Sequence, residues 1–437
     1  MPVTLNTSDD DFDARFAAML SAKREDSGDV NAVVAGIIAD VRARGDAVLC
    51  ELTARFDRLE LTPDRIRFAP DEIEAEVAKV GPRDRAALIL AAERIRAYHA
   101  RQMPEGASWT DPEGATLGWR WTPVSAAGLY VPGGQAAYPS SVLMNAIPAR
   151  VAGVERLVIC VPTPDGIINP LVLLAAQLSG VDEIYRVGGA QAVAAMAYGT
   201  GTIRPVDKIT GPGNAFVAAA KKQVFGRVGI DMIAGPSEVL IIAEGAQNPD
   251  WLALDLLAQA EHDADAQSIL ITTDPGLAHA VAGAVDRLLP TLPRAGIAGA
   301  SWRDYGTIII ARDLGEAADL SNRIAPEHLE LCVDEPEALA ERCIHAGAIF
   351  LGAHTPEAVG DYVSGPNHVL PTARSARFSS GLSVLDFLKR TTMARLTPGA
   401  LAAIGPAAVR LAAAEGLHAH GASVEARLAL LNERDEA

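Results

Sequence analysis

Short β-branched, apolar runs alternate with longer stripes of helical spacing over most of this chain, and the alternation occurs twice. The first series predicts a strand at 128–131, a Gly133-Gly134 turn and a helix, then a strand at 156–161, a helix at 170–178 and a strand at 183–187. It continues through Gly188-Gly189, a helix at 190–198, a short Lys208-Ile-Thr strand, the Gly211-Pro-Gly213-Asn214 turn and a helix reaching Val224. The second series predicts strands at 239–242, 268–272, 307–311, 329–333 and 348–351, with helices between them. Such alternation implies an α/β protein with two parallel sheets, each covered by helices on both faces. The first part, to about Trp121, reads as helical and charged. So does the tail after Leu385, where 407–431 is an alanine-rich helical pattern.

One helix ends in candidate chemistry. Asn248 is a good N-cap, Pro249 suits the first helical position, and Trp251, Leu252, Leu254, Leu256 and Leu257 give an apolar body expected to be buried. Gln259 and His262 close it, three residues apart and therefore on one side. Gly235-Pro236 breaks the chain just before Ser237 and the next strand. Taken alone, a histidine there reads more readily as a structural cation complementing the helix dipole, and only its partners change that reading. Pro326-Glu327-His328 lies in a break between a helix ending near Ile324 and a strand, where a carboxylate beside an imidazole suits acid–base work. Asp361 and His368 share a Gly/Pro-rich loop, and Glu415, His418 and His420 lie in the tail helix.

Neither αβ series contains Gly-x-Gly-x-x-Gly, so the usual dinucleotide fingerprint is absent. The glycine pairs instead follow strands, where open parallel sheets bind ligands and helix starts meet phosphate, although tight turns alone would also require them. Cys50, Cys160, Cys332 and Cys343 form no Cys-x-x-Cys pair, which suits a reducing compartment. Cys160 and Cys332 fall within apolar runs and read as buried strand residues rather than nucleophiles.

The length suggests two or three domains, and 49% hydrophobic residues suffice for a sizeable core. A formal charge of −17 argues against nucleic-acid or anionic-membrane partners. Residues 1–29 have no apolar leader pattern, and a cytoplasmic location is expected.

The segment 230–262, with Asp231-Met-Ile-Ala-Gly-Pro-Ser237 and Gln259-Ala-Glu-His262, resembles the signature of histidinol dehydrogenases. The segments Gly128-Leu-Tyr130-Val-Pro-Gly-Gly, Val187-Gly-Gly-Ala-Gln191 and Lys208-Ile-Thr-Gly-Pro-Gly-Asn214 are similar to that family's NAD-contacting stretches, and Pro326-Glu-His-Leu-Glu is similar to its catalytic motif. The resemblance runs from about Arg24 to Leu430; Pro366 departs from it, standing where a small hydroxyl residue is common. It implies two incomplete Rossmann-like domains, 25–127 with 237–384 and 128–236, plus helical terminal segments 1–24 and 385–437 that form a swapped homodimer.

The same resemblance assigns Tyr130, Gln191 and Asn214 to NAD, and Gln259, His262, Asp361 and His420 to one zinc ion per subunit. It makes Glu327 the activator of water and His328 the general base. Ser237, Gln259, His262, His328, Asp361, His368, Glu415 and His420 would contact the substrate, with Glu415 at its amino end. The implied activity is oxidation of L-histidinol through the aldehyde to L-histidine, with two NAD reduced. A related zinc-dependent dehydrogenase of another polar alcohol, such as a sulfonated diol, is the nearest alternative, and a zinc hydrolase is a further one. Glu415 and His420 argue against the first, because an anionic substrate end favours Arg or Lys. His99, His279, His345, His354 and His418 are expected to be noncatalytic.

Overall fold

The computed structural model describes residues 2–22, 28–132, 138–233 and 235–435, so Gly133 and Gly134 lie outside the described residues. The strands in chain order are β1 (Val3–Asn6), β2 (Ala107–Thr110), β3 (Thr116–Pro123), β4 (Ala126–Tyr130), β5 (Arg156–Cys160), β6 (Glu183–Tyr185) and β7 (Lys208–Thr210). They continue as β8 (Gly229–Ile230), β9 (Glu238–Ala243), β10 (Gln267–Thr272), β11 (Thr307–Ile310), β12 (His328–Cys332), β13 (Ala348–Leu351) and β14 (Leu388–Arg395). The chain divides into two compact units, Met1–Gln102 with Val124–Phe387, and Met103–Pro123 with Leu388–Ala437.

The larger unit holds two parallel sheets. One runs β6-β5-β4-β7-β8, and the other β1-β11-β10-β9-β12-β13. Counted from the first strand of each αβ series, both follow the order 3-2-1-4-5, a Rossmann order without its sixth strand. Every residue of β9 and β12 is buried, as parallel strands covered on both faces require. The pleat divides them. Leu240, Ile242, Leu329 and Leu331 pack on one face with Phe16 and Leu320, whereas Val239, Ile241 and Cys332 pack on the other with Leu252, Leu256 and Leu257. A leucine buried as Leu256 is contributes about 2 kcal/mol. That second face also orients His328 and Glu330, which alternate with Leu329 and Leu331 along β12.

Expectations of helix give way to strand at the N-terminus, in the tail, and at β2 and β3, which fall within the part up to about Trp121. The N-terminus opens with β1, whose four residues pair in register with β11 at the sheet edge. The alternation of Leu5 inward with exposed Thr4 is too short a signal to separate from a helix start. The tail after Leu385 begins with β14, which pairs antiparallel with β3 in the smaller unit's β14-β3-β2 sheet. All of β14 after Leu388 is exposed, so no hydrophobic alternation marks it. The tail then forms two helices, Pro398–Ala414 and His418–Asp435, rather than one; Gly416, at φ +72°, makes the break. Among the described residues, no helix is long and apolar enough to cross a membrane.

Candidate active site

The predicted cap holds: Asn248 Oδ1 accepts the Asp250 amide at 3.0 Å, and Pro249 starts the Pro249–Ala260 helix. Its burial is one-sided, however. Leu252, Leu256 and Leu257 face the sheet, while Trp251 and Leu254 are exposed, so the helix is amphipathic rather than wholly buried. Gln259 lies on the inner side, 1% exposed, and neither Oε1 nor Nε2 has a hydrogen-bond partner. A buried carboxamide left so costs about 1–3 kcal/mol for each unmet group, which a ligand would recover. His262 follows in the turn and is exposed.

The second group comes from the start of β12. The Leu314–Ile324 helix ends at Ala325, held at φ +52°, a conformation that costs a non-glycine residue about 1–2 kcal/mol. Pro326 follows, and the chain enters the sheet at Glu327-His328. Both side chains are buried. Glu327 Oε2 accepts the Glu238 amide at 2.9 Å. His328 Nδ1 lies 3.0 Å from the Glu238 carbonyl oxygen, which can only accept, so Nδ1 carries the proton. The lone pair is therefore on Nε2, a buried atom without a partner. Burial lowers the His328 pKa to about 4, against the opposing pull of Asp361, so the ring is neutral at physiological pH.

The loop beyond β13 completes the group. The Glu357–Tyr362 helix brings Asp361 Oδ1 to 3.9 Å from His328 Nε2 and 3.8 Å from His368 Nδ1. His368 Nδ1 donates to the Asp361 carbonyl at 3.0 Å, which fixes its ring, and desolvation holds its pKa down. His262 adds a small like-charge effect on both His328 and His368. Ser237 immediately precedes β9 and is partly buried; its carbonyl accepts the Gln267 amide at 3.0 Å.

Three acidic residues had not been singled out from the sequence. Glu357 Oε1 is 3.3 Å from His328 Nδ1, and its carboxyl is pushed well above the usual range by burial first and by Asp361 and other acids second. Glu330 is buried at 1% exposure, and Asp255 is half-buried. Their signal in the sequence is spacing: Glu330 is two residues after His328 on a strand, and Asp255 and Glu357 are each four residues before a proposed zinc ligand on a helix. His328, Glu357 and Asp361 also bring one potential metal-binding atom each within 4.8 Å of one another. Glu357 approaches Nδ1 and Asp361 approaches Nε2, and one ion cannot use both ring nitrogens. We therefore read Asp361 as the outward, ligand-bearing member and Glu357 as an inner support.

Zinc fits the donor set offered by Gln259, His262 and Asp361, with the orphaned Gln259 amide as the structural reason. The smaller unit carries Glu415 at the end of the Pro398–Ala414 helix and His420 near the start of His418–Asp435, both exposed. Cys160 and Cys332 are buried in β5 and β12, and desolvation pushes both thiols up to about 12, unsuitable for a nucleophile. His99 is fully buried, with Nδ1 on the Ile95 carbonyl and Nε2 3.3 Å from Asn367 Nδ2.

The cofactor candidates lie on the β6-β5-β4-β7-β8 sheet, at its carboxyl edge. Tyr130 ends β4, and its hydroxyl accepts the Gly189 amide at 3.1 Å at the start of the Gly189–Tyr198 helix; burial pushes its pKa to about 12. Gln191 is buried in the first turn of that helix. Asn214 caps the Ala215–Val224 helix, its Oδ1 accepting from Phe216 and Val217, which leaves its amide nitrogen for a ligand. Gly211, at φ +111°, lies so close to β4 that a Cβ would stand 2.1 Å from the Tyr130 carbonyl oxygen. Backbone packed this tightly beside two helix starts fits a dinucleotide.

A family model described as histidinol dehydrogenase matches residues 20–428. The chain belongs to the histidinol dehydrogenase family. It is 74% identical over 433 residues to a histidinol dehydrogenase of Cereibacter sphaeroides, covering 99% of this chain and 100% of that one. A Ruegeria pomeroyi histidinol dehydrogenase is 72% identical over 432 residues, again with 99% and 100% covered. The crystal structure of histidinol dehydrogenase from Elizabethkingia anophelis superposes with a TM-score of 0.94 at 38% identity, covering 99% of each chain. The chain is accordingly an oxidoreductase, with an α/β fold of parallel sheets.

Proposed function

We propose that the chain oxidises L-histidinol through L-histidinaldehyde to L-histidine, reducing two NAD, with one zinc ion per subunit to hold the substrate. The observation that carries this reading is the orientation of His328: Nδ1 is committed to the Glu238 carbonyl, and the free lone pair of a neutral ring is on Nε2, beside Asp361. That is the state a general base needs. His328 takes the hydroxyl proton of the alcohol in the first oxidation and that of the hydrated aldehyde in the second. Glu327, held by the Glu238 amide, removes a proton from the water that adds to the aldehyde. When bound, zinc supplies a Lewis-acidic anchor for the substrate imidazole and NAD supplies the hydride acceptor. Gln259, His262, Asp361 and His420 would hold the ion, Ser237 and His368 would border the substrate, and Glu415 would meet its amino group. Tyr130, Gln191 and Asn214 would bind NAD. Anchoring both substrate ends keeps the aldehyde from escaping while the cofactor is exchanged.

Exhaustive turnover tests this reading: two NADH per histidinol are expected, with activity lost on zinc removal and restored by zinc. One NADH with free aldehyde accumulating would defeat it, and product formed without NADH would point to hydrolysis.

The roles of Glu415 and His420 rest on the family resemblance, which implies a homodimer in which each tail completes the partner's site. Co-expression of His262→Ala with His420→Ala tests it. Mixed dimers would then contain one doubly defective and one intact site, and random pairing restores about one quarter of the sites. No recovery from exchanging, folded subunits would mean that each chain completes its own site.

A further inference from the structure

Where β7 ends and the chain turns into the Ala215–Val224 helix, both peptide groups of a single residue are taken by side chains. Gly211 donates its amide to Asp231 Oδ2 at 2.8 Å, and its carbonyl accepts from Lys221 Nζ at 2.9 Å. Lys221 Nζ is also ion-paired with Asp231 Oδ1, and the two side chains are 3% and 1% exposed. The three residues come from three places. Gly211 opens the turn, Lys221 lies in the last turn of the helix that follows it, and Asp231 comes directly after β8, at the start of the connection to Ser237 and β9. The Asp231 amide donates to the Ile209 carbonyl of β7 at 3.2 Å, which fixes the acid beside the turn.

A buried ion pair is a poor source of stability, because desolvation offsets most of the attraction and an apolar pair of like volume often does as well. What an apolar pair lacks is direction, which a hydrogen bond has. Gly211 stands at φ +111° beside the Tyr130 carbonyl, and a glycine has no side chain to hold it in that setting. We propose that Lys221 and Asp231 are positioning residues for the cofactor: as an ion pair they hold the Gly211-Pro-Gly213 turn in the shape that accepts a dinucleotide, between Tyr130 and Asn214. Buried as they are, they act through Gly211 rather than on the cofactor itself. A turn that is held only part of the time lowers affinity by the fraction of time it is held. The inference rests on the reading in which Tyr130, Gln191 and Asn214 bind NAD.

The experiment compares two doubly substituted full chains. Lys221→Met with Asp231→Leu removes both contacts to Gly211 and leaves no charge unpaired. Lys221→Met with Asp231→Asn is equally neutral but keeps an acceptor for the Gly211 amide. The dissociation constant of NADH, read by fluorescence titration, should rise about tenfold to a hundredfold in the first chain and about threefold to tenfold in the second. The KM for NAD should rise in step, while kcat at saturating NAD, the KM for histidinol and zinc content stay within about twofold. The proposal is overturned if the first chain, folded, binds NADH as the wild type does, or if the second binds it no better than the first. It is overturned equally if zinc content falls along with NADH affinity, as a general loosening of the fold would produce. Should the first chain fail to fold, the second decides: a loss of NADH affinity of about threefold or more with normal zinc supports the positioning role, and undiminished affinity overturns it. A wild-type chain that binds no NADH would instead defeat the reading of function, and the inference with it.

Discussion

The two parallel sheets of the larger unit share a 3-2-1-4-5 strand order but present their candidate chemistry at opposite edges. On the β4–β8 sheet, Tyr130, Gly189 and Gly211 follow the usual rule for open α/β sheets and gather outside the carboxyl ends of the strands. On the β9–β13 sheet, Ser237, Glu327 and His328 lie at the amino ends, joined there by the end of the Pro249–Ala260 helix. The amino edge of the first sheet is used differently. Arg156 and Arg204 bracket the buried Glu183 at 2.8 and 2.9 Å, and Tyr185 donates to it at 2.7 Å. One amino edge is thus sealed by matched charges, and the other keeps polar atoms without partners, among them His328 Nε2 and the Gln259 amide. Strand order locates a switch point; which edge serves depends on where a chain leaves its polar groups unmet.

If the second sheet's amino edge is the seat of proton transfer, the largest loss follows from removing its base. His328→Asn should lower kcat by about 10²- to 10⁴-fold whether assays start from alcohol or aldehyde, with NAD affinity unchanged. Glu327→Gln should suppress the aldehyde step more than the alcohol step. Equal losses in both half-reactions for Glu327→Gln would remove its distinct role, and a matching loss of NAD affinity in His328→Asn would blur the division between the sheets.

The complementary change is Gly211→Ala on the other sheet. The added Cβ meets the Tyr130 carbonyl at 2.1 Å, at a φ of +111° that alanine rarely adopts. The strain, of order 1–3 kcal/mol, should displace Tyr130 or the turn and weaken NADH binding about tenfold, read by fluorescence titration, while zinc content stays normal. Undiminished NADH affinity in a folded variant would remove this turn from the cofactor site.

Much of this division was legible in the residues. Strands β4–β7 and β9–β13 follow from β-branched runs and their turns, since strands buried on both faces carry strong apolar signals. β1 and β14 escaped because an edge strand of four residues and an exposed strand lack that signal. Gln259, His262, Glu327, His328, Asp361 and His368 were found mainly through family likeness, and the structure gathers them in one unit. Asp255, Glu330 and Glu357 were passed over because acids within apolar periodic segments read as their solvent-facing positions. Nothing local in Glu330 says that its carboxylate accepts the first amide of the helix that carries Asp361.

The smallest expected effect on catalysis comes from the sealed edge. Its two arginines and Tyr185 hold the Glu183 carboxyl down at about 2, with the Arg156 hydrogen bond the largest cause. A carboxyl lowered in the folded state stabilises it above the unfolded value near 4.5, and that contribution is lost as pH falls through about 2. The displacement corresponds to about 3 kcal/mol, most of which Glu183→Gln should forfeit at neutral pH by leaving Arg156 without its carboxylate. Denaturant unfolding at pH 7 should register that loss, and the gap between wild type and variant should close as the medium is acidified from pH 4 towards 2. Because this edge is opposite the candidate cofactor site on its own sheet and contributes no candidate catalytic residue, kcat and the KM for NAD should remain within about twofold at temperatures where the variant is folded. A tenfold fall in kcat without loss of stability would mean that Glu183 acts on the chemistry, and the contrast between a sealed and a working amino edge would fail.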